Sequence, residues 1–225
     1  MKKLRLLTGI AIFAFASNAN ALEINPYVSA KLSHNWAKND VISEYKYNTR
    51  SSSYKTKFHQ NLWAGHFAAG MKSNAFRTEL EWNISDDAKR SFFIEDDIKT
   101  RARLQNNSLL LNAYYDFHTC TKWTPYIGGG LGVAMLKITT NEIYSDGHIK
   151  KSVKSHNLAW QLGAGVAYDL TQNIALDAGY RYIDGGAAVV EKRIESASYY
   201  AHTESRKTKF NTAAHEIYFG ARYTF

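Results

Sequence analysis

Residues 76–84 alternate without a fault. Phe76, Thr78, Leu80, Trp82 and Ile84 make one row, and Arg77, Glu79, Glu81 and Asn83 make the other. A period of two is that of a β-strand, whose successive side chains point to opposite faces. The same period runs through residues 215–225, where Ile217, Phe219, Ala221, Tyr223 and Phe225 are apolar while Glu216, Tyr218, Gly220, Arg222 and Thr224 are mostly polar. The dry core of a soluble sandwich seldom takes three charges from one strand. A sheet of such strands has one face suited to hydrocarbon and another that must meet water or opposite charges.

The pattern recurs at residues 26–33, 62–71, 108–117, 124–135, 157–170 and 174–182. Between these strands the connections alternate in length. Residues 72–75, 118–122 and 171–173 read as tight turns, whereas 37–60, 85–103, 137–155 and 184–209 are polar, lack a sustained apolar row and read as long loops. In the second of them, Phe92-Phe93-Ile94 reads either as a hydrophobic tip or as a short extension of the strands. Mean hydropathy is −0.39, too polar for a bundle of membrane helices, and no internal run of about eighteen apolar residues exists. A barrel hides its apolar residues at every second position and can be polar on average. The fold expected is all-β: an eight-stranded antiparallel transmembrane β-barrel with four long extracellular loops and short periplasmic turns. A soluble lipocalin-like barrel would reverse the two rows. Five Trp and fifteen Tyr, many near strand ends on the apolar row, fit interfacial girdles instead.

Residues 1–21 carry basic Lys2, Lys3 and Arg5, an apolar run at 6–16, and Ala19-Asn20-Ala21 as a small-x-small cleavage site. They are expected to be a secretory signal peptide, leaving residues 22–225 as the barrel domain. No Cys follows that site, so no lipoprotein anchor is expected. Without the signal's three basic residues, 28 Lys and Arg become 25 against 20 acidic residues, an excess of +5. Cys120, the single cysteine, lies between Thr119 and Thr121 in a turn and can form no internal disulfide.

The polar row defines what fills the lumen. An eight-stranded interior is only wide enough for side chains to fill it, so charges taken from water need partners there. Lys31, Arg77, Glu79, Glu81, Asp116, Asp177, Arg181, Glu216 and Arg222 all face inward and are expected to form an ion-pair network. Arg77 should meet Asp116, Asp177 should meet Arg222, and Arg181 should reach Glu216 or Tyr218. Gly128, Gly130 and Gly132 share the inward face, where small residues leave room for long ones across a narrow lumen. They lack the fingerprint and following helix of a phosphate-binding loop.

Catalytic and metal chemistry find little footing. His66 with Glu79 is the nearest approach to a catalytic pair, and no nucleophile, base and orienting acid fall at matched heights. The histidines are scattered, without HxH or HExxH spacing. No catalytic residue, metal ligand or cofactor is therefore expected. An outer-membrane hydrolase of lipid or peptide stays open as one alternative, and a narrow, low-conductance channel as another.

The stretches TPYIGGGLG, LNAYYDF, WQLGAGVAYDL and ALDAGYRYID, with the terminal FGARYTF, resemble the opacity-type or porin-family outer-membrane β-barrel domain over nearly the whole chain from Asn25 to Phe225. The resemblance implies an eight-stranded barrel in the bacterial outer membrane with variable surface loops. It also implies that the terminal aromatics, Tyr223 and Phe225, are read by the outer-membrane assembly machinery. It fixes no ligand.

Two loops carry most of the positive excess. Residues 37–60 hold Lys38, Lys46, Arg50, Lys55 and Lys57 against Asp40 and Glu44, and residues 137–155 hold Lys137, Lys150, Lys151 and Lys154 against Glu142 and Asp146. Lys55, Lys57, Lys150 and Lys151 are the residues expected to bind a polyanion. The partners in view are outer-membrane lipid and lipopolysaccharide, the assembly machinery, and a host polysaccharide or surface protein. Nucleic acid is not expected there. A structural or adhesive surface antigen is the leading functional reading.

Overall fold

The computed structural model describes residues 24–47, 50–95, 98–144, 147–196 and 202–225. All of its regular structure is β: β1 (Asn25–Tyr47), β2 (Arg50–Ser73), β3 (Phe76–Ser85), β4 (Ala88–Glu95), β5 (Ile98–Asp116), β6 (Trp123–Tyr144), β7 (Gly147–Asp169), β8 (Ile174–Ser196) and β9 (His202–Thr224). Every neighbour pairing is antiparallel. β1 pairs with both β2 and β9, and β3 pairs with β5, which closes the ring. β3 and β4 occupy one place in that ring, because both run against β5. The barrel therefore has eight positions, as the alternating rows require. The signal-peptide residues lie outside the described part of the chain.

Burial follows the sequence rows. Along β3 the outward residues are exposed and Arg77, Glu79, Glu81 and Asn83 are buried. The outward row of the other strands is equally bare: Leu32, Phe67, Leu131, Leu162 and Phe219 all show more than half of their surface. Closing the sheet completely satisfies the backbone, as a hydrocarbon surround demands. Aromatic side chains mark two levels on the outer wall. At the turn end, Phe76 packs on Tyr115, Tyr115 on Phe117, Trp123 on Tyr168 and Tyr223 on Phe225. At the other level, His34 packs edge-on against Trp36 and Trp63, and Trp160 lies against Tyr182. Tyr223 at the first level and His215, which packs against Tyr182 at the second, are separated along β9 by roughly 27 Å of strand, or about 20 Å of height once tilted, close to the roughly 25 Å of an outer-membrane apolar band.

The four long polar segments are strand over most of their described length. β1 and β2 keep one register from Asn25↔Lys72 to Tyr47↔Arg50, and β6 and β7 keep one from Trp123↔Tyr168 to Tyr144↔Gly147. The strands thus continue well past the upper girdle as polar hairpins. An apolar row is needed only where one face meets lipid. Above the membrane both faces are wet, and the backbone ladder alone holds the strands, so the hydrophobic alternation that marks a strand fades while the strand goes on. Phe92, Phe93 and Ile94 belong to β4, an extension of the wall.

The turn end is tight, as expected. Asn74 links β2 to β3 with φ 51°, a left-handed conformation that Asn tolerates. Cys120 is exposed in the turn between β5 and β6.

Candidate functional site

The lumen is filled in layers. At the turn end, Arg77 Nε donates to Asp116 Oδ1 at 2.8 Å, Lys72 Nζ stands 3.7 Å from Asp116 Oδ2, and Arg222 Nη2 is 3.8 Å from Asp177 Oδ1. The Arg77 guanidinium also lies over the rings of Tyr114 and Tyr126, 4.8 and 4.7 Å from their centroids, a placement that the negative ring faces favour.

The middle layer turns on Glu79 and Glu81. Lys31 Nζ donates to Glu79 Oε1 at 2.9 Å and to Glu81 Oε2 at 2.8 Å. Lys31 is on β1 and the two carboxylates are on β3, so its side chain crosses β2 where that strand presents only Ala68 and Gly70. Glu79 also accepts from the hydroxyls of Tyr27 and Tyr114 and from the Asn112 amide. From the far wall, Arg181 Nη1 donates to Glu81 Oε1 at 2.6 Å and to Gln161 Oε1 at 2.6 Å, and Arg181 Nη2 donates to Glu216 Oε1 at 2.8 Å. Gln161 passes the chain of bonds to Asn112, which reaches Glu79. All of these residues are buried or nearly so. Among the described residues these bonds cross the lumen from one wall to the other.

Room for this layer comes from backbone without side chains. A Cβ on Gly128 would fall on the Tyr114 ring, and one on Gly130 would fall on Asn112 Oδ1.

Above the charges sits His66. Its Nε2 is 2.7 Å from Ser33 Oγ and 2.9 Å from Glu216 Oε1, and its Nδ1 faces Asn83 Oδ1 and, at 3.9 Å, Glu81. The acid beside it is therefore Glu216 and not Glu79. Ser33, His66 and Asn83 have the outline of a nucleophile, a base and an orienting amide. Ser33, however, is only 1% exposed and does not line the chamber above, so its hydroxyl is packing in the plug and is not presented to a substrate.

That chamber has a volume of about 70 Å³. Its floor is His66 and Glu216, and its walls include Asn35, Asn106, Ile183 and Gly185. It opens towards the strand extensions. There the chain carries its basic residues: Lys55 and Lys57 of β2 stand opposite Ile42 and Asp40 of β1, and Lys150 and Lys151 of β7 stand opposite Asn141 and Thr140 of β6. They lie in paired strands and not in loops. Their side chains are outside the described residues.

Strand neighbours alone could not show the contacts of Lys31 and Arg181 with Glu81, whereas Ser33 and His66 are diagonal neighbours on the paired strands β1 and β2. The signal present in the sequence was the run of small inward residues, Ala68 and Gly70, that lets Lys31 pass.

A family model described as outer membrane protein beta-barrel domain matches residues 6–225. The chain is 33% identical over 132 residues to Outer membrane protein PagN of Salmonella typhimurium, a match covering 57% of this chain and 53% of that protein. The match thus spans about half the length of that relative. It is 27% identical over 225 residues to Opacity protein V28 of Neisseria gonorrhoeae, with 84% of this chain and 85% of that protein covered. Among solved structures, the outer membrane protein OprG from Pseudomonas aeruginosa superposes with a TM-score of 0.53 at 17% identity, covering 89% of this chain and 96% of that one. The last likeness concerns the fold alone.

Proposed function

The chain belongs to the outer membrane protein β-barrel domain family, and from that membership we propose that it is an adhesive surface protein whose strand extensions bind anionic polymers outside the cell. The protein is an outer-membrane β-barrel. One observation carries the proposal: a buried charge network crosses the lumen, whereas the strands run on beyond the upper girdle with an excess of lysine and arginine. A barrel that passes nothing through its interior acts through what it displays.

The chemistry of the display is electrostatic. Lys55 and Lys57 on one hairpin, with Lys150 and Lys151 on another, meet a sulfated or acidic polysaccharide, of the host or of neighbouring lipopolysaccharide, through many weak contacts. Such attraction is screened beyond a Debye length of about 8 Å at physiological salt. Protein reconstituted in lipid nanodiscs is expected to bind a sulfated polysaccharide at low salt and release it as salt rises. Replacing Lys55, Lys57, Lys150 and Lys151 by Ser weakens binding and leaves the barrel folded. Binding that survives both high salt and the fourfold replacement refutes the proposal.

Two parts of the chain serve export in this reading. Residues 1–21 direct secretion and are removed, which amino-terminal sequencing of the outer-membrane fraction tests. Tyr223 and Phe225 address the assembly machinery. A channel of low conductance is the second reading, and the network opposes it. Planar-bilayer recording decides between them, because a lumen closed by Arg181 and Lys31 gives no unit steps, whereas a low-conductance channel gives small, reproducible ones.

A further inference from the structure

The ring of strands does not stay whole above the membrane. β7 and β8 pair from Asp169↔Ala175 to Trp160↔Asp184 and no further, although both continue as strands, β7 to Gly147 and β8 to Ser196. Beyond that point, among the described residues, β7 pairs only with β6 and β8 only with β9.

The cause lies in β8. Gly185 and Gly186 together stand opposite Thr212 of β9, between Asp184↔Ala213 and Ala187↔Asn211. Gly186 takes φ 74°. Its N–H donates to Asp184 Oδ1 at 2.8 Å, and its carbonyl accepts from the Thr212 hydroxyl at 2.9 Å. A bulge of this kind bends its strand and sharpens the twist, which turns the upper part of β8 away from β7. Across the ring a second irregularity separates β3 from β4. Ile84 faces Asn107 below it and Ala88 faces Leu104 above it, a shift of one residue, and β4 does not pair with β2. Among the described residues the extension is thus two four-stranded sheets, β2–β1–β9–β8 and β4–β5–β6–β7, parted along two seams.

We infer that the free edge of β7, residues 147–159, is a docking site for an extended acidic polypeptide segment, which adds as a strand in the gap between β7 and β8. An unpaired edge presents a ladder of N–H and C=O groups that another extended chain completes. Charge selects the occupant. Residues 147–159 carry Lys150, Lys151 and Lys154 and no Asp or Glu, while the facing stretch of β8 balances Glu191 and Glu195 with Lys192 and Arg193. A second copy of the chain would bring the same lysines against themselves, and like charges directly opposite destabilise a strand pair. An acidic strand meets the reverse condition. The backbone ladder makes this site, and its charge selection draws on Lys150 and Lys151, which the polysaccharide contact proposed above also uses, so a test of the ladder separates the two.

The test uses the full chain in nanodiscs and a synthetic peptide of alternating Glu and Val. A second peptide, N-methylated at alternate residues, keeps every charge but cannot complete one ladder. The unmethylated peptide is expected to bind, to slow hydrogen exchange at the amides of residues 147–159, and to lose about tenfold or more in affinity on methylation, since several ladder bonds are removed. Equal binding of the two peptides overturns the proposal by reducing it to charge attraction. Protection that appears elsewhere, or self-association through β7 without peptide, overturns it as well.

Discussion

Arg181 of β8 and Glu81 of β3 stand one hundred positions apart on strands that do not pair, yet Arg181 Nη1 lies 2.6 Å from Glu81 Oε1. The bond spans the lumen and ties opposite walls of the barrel. Removing one member leaves a buried carboxylate or guanidinium without its partner, which costs roughly 3 to 5 kcal/mol. Arg181→Ala is therefore expected to lower unfolding stability in lipid by about that amount. Arg181→Met combined with Glu81→Leu should recover only part of it, because Glu81 is no longer left unpaired and Lys31 keeps Glu79, while Glu216 still loses the bond from Arg181. Urea unfolding of the single and double variants in vesicles measures both. Equal stability of wild type and Arg181→Ala would show that the bond across the lumen is dispensable.

The glycines of the wall divide into two kinds, and substitution separates them. At Gly130 a Cβ would fall on Asn112 Oδ1, with the Leu111 carbonyl close behind, whereas at Gly65 it would meet nothing within 4 Å. Gly130→Val should block assembly or cost several kcal/mol through overpacking, on the order of 1 to 3 kcal/mol for the clash alone. Gly65→Ala should be silent. The yield of heat-modifiable folded barrel after refolding into detergent reports on each.

Deleting Gly185 removes the extra residue from β8. The strand should then continue against β7 beyond Trp160↔Asp184, and the seam should close from its root. Hydrogen exchange at residues 152–159 is expected to slow in the deletion variant without any peptide present. Unchanged exchange there would mean that something other than the bulge holds the sheets apart.

Much of the barrel was legible because two rows with different solvents leave a strong mark on a sequence. Phe76 to Ile84 must present Leu80 and Trp82 to lipid and Glu79 and Glu81 to the lumen, so the strand, its faces and its neighbours in the ring follow together. Arg77 and Asp116 sit on paired strands, and proximity of that sort can be read from strand order. The contacts of Arg181 with Glu81, and of Lys31 across β2, cannot be read so, because they depend on the diameter of the closed ring and on how far Ala68 and Gly70 let a long side chain reach. The extensions were hidden for the opposite reason. Lys55 and Lys150 lie in strands wet on both faces, where nothing forces apolar residues to recur.

The unbroken register of β1 and β2 separates reach from anchorage. From Asn25↔Lys72 at the turn end to Tyr47↔Arg50 near the tip, each residue added to one strand can be matched by one on the other. Lengthening or shortening the hairpin at its tip therefore shifts no pair below it and leaves Lys31, His66 and the wall glycines where they stand. Such a hairpin is a mast of adjustable height stepped into a fixed hull, and its outer part can be lengthened or cut while the hull keeps its pairs.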